Sequence, residues 1–101
     1  LSKRIKYIPE SVTHLTFGFR FSHFIEDALP SSITHLRFGY FFDQEILNNI
    51  PASVTHLRFG GFFKQDFRDI PDTIKELTIP KSYYDYTFKK HPPKFKLILT
   101  S

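Results

Sequence analysis

The sequence predicts a right-handed solenoid: a parallel β-sheet with one short strand per turn of about 21 residues, extended or 3-10 return segments, and little or no α-helix. Three observations predict it. The run Ile8-Pro9-Glu10-Ser11-Val12-Thr13-His14-Leu15-Thr16-Phe17-Gly18 returns at Leu29–Gly39 and at Ile50–Gly60, and a decayed copy runs Ile70–Ile79 with Pro80 in place of the glycine. The prolines of the four copies, Pro9, Pro30, Pro51 and Pro71, stand 21, 21 and 20 residues apart. Within each copy the residues alternate: Leu36 and Phe38 point one way, His35 and Arg37 the other, as in a strand with one wet face. A unit this short has no room for a strand, two turns and a useful helix, so equivalent strands must lie side by side in parallel.

The elements follow in order as one repeat domain. Residues 1–7 read as the tail of a preceding unit, because Ile5-Lys6-Tyr7-Ile8-Pro9 matches Phe67-Arg68-Asp69-Ile70-Pro71. Units 8–28, 29–49 and 50–69 come next, the third shortened by one residue between Phe67 and Ile70 and so expected to have a tighter connection. Residues 70–91 form a degenerate unit and 92–101 a closing strand with altered spacing, as the ends of stacked arrays require. Each proline precedes its strand, where its missing N–H does not interrupt the ladder. Ser11, Ser32, Ser53 and Thr73 put a hydroxyl two residues later, expected to satisfy backbone groups of its own turn. Gly18, Gly39 and Gly60 follow the strands, where a sharp turn or positive φ is expected. Phe17, Phe38 and Phe59 form one inward column, and Phe21, Phe42, Phe63 and Tyr83 a second. Ile25, Ile46 and Phe67 mark a third depth, which Thr87 and Phe88 continue. Phe19, Tyr40, Phe41 and Phe62, beside the glycines, fall in neither phenylalanine column. Tyr83-Tyr84-Asp85-Tyr86 reads as a lid over the last unit.

Leu29-Pro30-Ser31-Ser32-Ile33-Thr34-His35-Leu36-Arg37-Phe38-Gly39-Tyr40-Phe41-Phe42-Asp43-Gln44-Glu45-Ile46 resembles an FNIP repeat, a leucine-rich-repeat-like unit common in social amoebae and in giant viruses that infect them. The resemblance runs through residues 8–79 and more weakly beyond. It implies a curved, leucine-rich-repeat-like solenoid used for protein–protein recognition. In many relatives an F-box precedes the repeats and links them to ubiquitin ligases; no helical segment of that kind stands within these residues. The Phe-Asn step of the family is altered, with Ser22, Asp43 and Lys64 after the phenylalanines and His23, Gln44 and Gln65 next. A polar ladder bracing the convex turns is therefore expected to be partly eroded, with Lys64 in solvent.

Composition narrows the chemistry. Thirteen Phe and five Tyr accompany no Cys, Met or Trp, which excludes disulfides, thiolate metal sites and a cysteine nucleophile. A chain that opens at Leu1 without Met is what an excised or processed fragment shows. No apolar run approaches the roughly 20 residues of a membrane helix, and no signal peptide is read at the start, so the expected location is cytoplasmic, or the host cytoplasm for a viral protein.

Outward side chains are the candidate site, because inward ones are committed to packing. His14, His35, His56 and Glu76 form one column, and Thr16, Arg37, Arg58 and Thr78 its neighbour. Strands about 4.8 Å apart would set three histidines in a row beside two arginines, a cationic surface whose charge grows as pH falls toward 6. The expected role is non-catalytic binding of a protein of unknown identity through this concave face, as the recruiting arm of an F-box protein where one is attached. Exposed stacked histidines without a role, or a spacer within a longer array, are alternatives. A shared metal ion fits poorly, because a ladder holds imidazoles parallel where a metal needs convergence, and no cofactor is implied. Weak nucleic-acid or polyanion binding draws on a net charge of +4 and on basic ends at Lys3-Arg4-Ile5-Lys6 and Phe88–Lys96, but acidic residues occur in every unit. Catalysis is disfavoured because Ser and His recur at fixed offsets; the singular candidates, His91 and Asp85, have no evident partner.

Overall fold

A computed structural model describes residues 7–89 and 93–100. The N-terminal basic run, most of the partial unit at 1–7 and His91 lie outside the described residues, as does the side chain of Phe67. Five parallel strands form one sheet in sequence order: β1 (His14–Thr16), β2 (His35–Arg37), β3 (His56–Arg58), β4 (Glu76–Pro80) and β5 (Lys96–Thr100). The fold is therefore the expected leucine-rich-repeat-like solenoid. A six-residue helix, α1 (Lys81–Tyr86), and a 3-10 turn at Phe67–Asp69 are the helical elements among the described residues.

Each unit closes through three corners. At the proline corner the N–H groups of Val12, Ile33, Val54 and Ile74 donate to the carbonyls of Pro9, Pro30, Pro51 and Pro71 at 3.1–3.3 Å. After the strand, Phe21 and Phe63 N–H donate to Gly18 and Gly60. On the return, Ala28 N–H donates to Ile25 and Asn49 N–H to Ile46. The third corner holds Asp27 (φ 55°) and Asn48 (φ 62°) left-handed, a conformation that Asn and Asp tolerate through their short polar side chains. In the shortened third unit the 3-10 turn replaces this corner. There the Asp66 carboxylate accepts from the Arg68 backbone N–H at 2.9 Å and pairs with its guanidinium at 2.7 Å.

The repeated glycines stand at turns, as expected, but not for their φ, and the repeated hydroxyls have other partners than expected. No described glycine has a positive φ. Gly39 and Gly60 instead let adjacent turns touch: a Cβ on Gly60 would lie 2.6 Å from Tyr40 Cα, and one on Gly39 would overlap the backbone of Gly18. The serine column also does not serve its own turns. Ser32 Oγ donates to Val12 O and Ser53 Oγ to Ile33 O, both at 2.6 Å, and Thr73 Oγ1 to Val54 O at 3.3 Å, so each hydroxyl bolts its unit to the preceding one.

The core is a stack of layers. Leu36, Leu57 and Leu77 are buried under the sheet, with Phe38, Phe59 and Ile79 beside them and Phe42, Phe63 and Tyr83 behind. Burying side chains of this size is worth about 1.5–3 kcal/mol each. Ring spacing shows how the stack curves. The outward histidines lie 4.1 and 4.2 Å apart, the first phenylalanine column 5.2 and 5.5 Å, and the second 6.2 and 6.4 Å. Layers that fan apart away from the sheet put the sheet on the concave side.

The convex polar ladder is rebuilt where erosion was expected. Ser22 Oγ accepts from Asp43 N–H at 3.2 Å and from Gln44 Nε2 at 3.1 Å. Asp43 Oδ1 accepts from Lys64 N–H and Gln65 Nε2, both at 2.9 Å. Tyr83 Oη then donates to Gln65 O at 2.6 Å, tying α1 to the end of the ladder. Lys64 itself is exposed, its ammonium 5.0 Å from the Phe62 ring centroid. Of the tyrosine lid, Tyr83 is buried, Tyr84 packs on the core edge and Tyr86 stands in solvent.

Candidate functional site

Strand register builds the open face. His14, His35, His56 and Glu76 are successive ladder partners, and so are Thr16, Arg37, Arg58 and Thr78. All eight side chains therefore stand together on the concave surface as two adjacent columns. Strand β5 extends both, setting Lys96 beside Glu76 and Ile98 beside Thr78. Lys96 Nζ lies 3.6 Å from Glu76 Oε1, an exposed pair worth at most about 1 kcal/mol. Neither Lys96 nor Ile98 was among the sequence candidates, although Leu77 and Leu97 stand 20 residues apart, the same interval as Leu57 and Leu77.

The histidines form a continuous stack, with interplanar angles of 10° and 9°. The preceding threonine fixes each ring: Thr13, Thr34 and Thr55 Oγ1 lie 2.9 Å from Nδ1 of His14, His35 and His56. Thr34 Oγ1 also donates to Thr13 O at 3.2 Å and Thr55 Oγ1 to Thr34 O at 3.3 Å. A hydroxyl has one proton. At His35 and His56, a threonine proton placed on the carbonyl lets the oxygen accept from Nδ1–H and leaves Nε2 an acceptor, whereas a proton placed on Nδ1 leaves Nε2–H a donor. Burial, followed by the proximity of His14, His56 and Arg37, holds the His35 imidazole below its ordinary value, against a smaller opposing pull from Glu76. The centre of the row thus resists protonation. Arg37 and Arg58, beside this row, are exposed and have no ion-pair partner among the described residues.

The parallel rings do not converge, and no cluster of three or more His, Asp or Glu able to hold a metal ion occurs among the described residues. Asp85 is exposed and pairs with Lys81 at 2.9 Å, a hydrogen bond that holds its carboxyl below the ordinary carboxylate value. Ser32 and Ser53 donate to backbone carbonyls, so their hydroxyls are structural. The described residues form no helix long and apolar enough to cross a membrane.

Comparison with known proteins gives two matches. The FNIP Repeat family profile matches residues 4–41 and 42–89. No curated protein matches the chain. Among solved structures, CroV588 of the giant virus CroV, described as a novel circular LRR protein, superposes with a TM-score of 0.83 at 39% identity. The match covers 98% of this chain and 16% of CroV588.

Proposed function

The chain belongs to the FNIP repeat family, and from that premise we propose that it is a non-catalytic protein-interaction module that binds its partner through the concave sheet. One observation carries the reading. The outward columns combine ordered imidazoles with arginines that have no ion pair among the described residues, while the inward leucines of β2, β3 and β4 are taken up by packing. A rigid sheet presents such groups at fixed spacing without ordering a loop on binding, which lowers the entropic cost of association. On a polypeptide that also carries an F-box, the same face would recruit the substrate. The test replaces His35, Arg37, His56 and Arg58 by Ala together, checks the fold by far-UV circular dichroism, and compares captured partners. The proposal expects their loss; an unchanged set refutes it.

The fanning of the ring columns favours a second reading, in which these units are an arc of a longer curved array. CroV588, which is circular, supplies the comparison. Small-angle scattering of a longer polypeptide containing these units would show a curved particle for an arc and an extended rod otherwise.

A further inference from the structure

The corner after each strand carries groups that the histidine columns do not use. Phe19, Tyr40 and Phe62 are exposed there. Phe19 stacks on Tyr40 at 5.6 Å, and Phe41 stands edge-on to both at 5.3 and 5.0 Å. Beside this aromatic shelf lies an open groove of about 500 Å³, with Gly39, Gly60 and Gly61 in its lining together with Tyr40, Arg37 and Arg58. Gly61 leaves room for the shelf, since a Cβ there would meet the Tyr40 ring at 2.7 Å.

The lining of the groove carries two arginines and no carboxylate. Arg37 and Arg58 are direct ladder partners, so two guanidiniums without ion pairs among the described residues stand on adjacent strands. The backbone N–H groups of Gly39, Tyr40, Gly60 and Gly61 donate to no acceptor among the described residues. Thr16 adds a hydroxyl to the lining. On the same corner Arg20 lies 6.0 Å from the Phe41 ring centroid, adding positive charge. The nearby acid Asp43 already accepts from Lys64 N–H and Gln65 Nε2.

We infer that this groove anchors the partner by an acidic peptide segment. A carboxylate seats between Arg37 and Arg58, the glycine amides take a further carboxylate or backbone oxygen, and an apolar side chain lies on the shelf of Tyr40 and Phe62. The inference rests on the protein-binding reading and names the chemistry of the partner. A nucleic acid fits less well, because the opposite corner is acidic: Glu10, Glu26 and Asp27 line one depression and Glu26 and Glu45 another, which shortens the path a phosphate chain could follow.

The test is a ¹⁵N NMR titration of the chain with a synthetic decapeptide of Asp and Glu around one Phe. Its Asn/Gln counterpart and oligothymidylate are titrated in parallel. The acidic peptide is expected to shift the amides of Gly39, Tyr40, Gly60 and Gly61 and to bind at least about tenfold more tightly than the amide peptide, about 1.4 kcal/mol. Arg37→Gln with Arg58→Gln should weaken it at least about tenfold while leaving remote amide signals in place. Shifts confined to the histidine column or to Lys94–Lys96, equal binding of the amide peptide, or tighter binding of oligothymidylate would each overturn the groove assignment. Natural-partner capture separates the two readings: a partner lost on His35→Ala with His56→Ala but retained by the Arg→Gln pair keeps the sheet-face reading and overturns the groove.

Discussion

Replacing equivalent glycines by alanine should give opposite results at different units, although their sequence contexts are nearly the same. None of the three has a positive φ, so alanine strains no backbone dihedral at any of them. What differs is space. At Gly60 the added Cβ would sit 2.6 Å from Tyr40 Cα, 2.7 Å from Gly39 O and 3.0 Å from Gly39 C, all backbone atoms with no rotamer to change. Ordinary contact begins near 3.4 Å, so two turns would have to separate by most of an ångström, straining the layers on both sides. Overpacking of this kind costs about 1–3 kcal/mol. At about 2 kcal/mol, Gly60→Ala should lower Tm by about 8–16 °C. Gly39→Ala should act alike, because its Cβ would overlap the Gly18 backbone. At Gly18 no described atom lies within 4 Å, so Gly18→Ala should be neutral or stabilise by up to about 1 kcal/mol through the unfolded chain. Urea denaturation followed by far-UV circular dichroism measures all three, with an unchanged m-value showing that stability alone has moved. Equal destabilisation at Gly18 and Gly60 would refute the close-approach argument and restore a conformational role for these glycines.

Asp43→Ala leaves Lys64 N–H and Gln65 Nε2 without their acceptor and should cost about 1–3 kcal/mol, whereas Asp43→Asn keeps a carbonyl oxygen in place and should change thermal stability by less than about 0.5 kcal/mol. Tyr83→Phe removes the bond to Gln65 O with the buried ring retained, and chemical denaturation should show a loss of about 1 kcal/mol. His35 binds its proton less readily folded than unfolded, so its contribution to stability is full above the ordinary imidazole value of 6.5 and is lost as pH falls through the lowered folded value. Denaturation between pH 8 and pH 5 should show that decline, and His35→Gln should flatten it; a rise in stability on acidification contradicts the assignment.

The period and the alternation of Leu36 with His35 and Arg37 made the sheet, its register and both outward columns legible, because a repeat copies each side chain onto the next strand. The repeated serines and glycines were misread for one physical reason. In a solenoid the nearest neighbour in space is about 20 residues away in sequence, so rules for local turns assign partners wrongly. Ser32 reads as a turn hydroxyl but donates to Val12, and Gly60 does sit at a turn but has no positive φ and makes room for Tyr40. Ser22 and Asp43 depart from the family's asparagine yet supply the same acceptor position, which identity at one site hides and geometry shows. Left-handed Asp27 and Asn48 stand one period of 21 residues apart, but one is Asp and the other Asn, so identity alone does not mark them. Lys96 falls outside the pattern because His91, not a proline, stands six residues before Leu97, although Leu97 keeps the interval from Leu77.

The central claim is that a partner docks on the concave sheet, and site-specific photo-crosslinking tests it most directly. A photoactivatable side chain at position Thr16 or Thr78, at the two margins of the arginine pair, is compared with one at Glu45 or Asn48, both exposed and outside the sheet. The account predicts adducts to the same partner from Thr16 and Thr78 and none from Glu45 or Asn48. Adducts from Glu45 and Asn48, with none from the sheet positions, would contradict it.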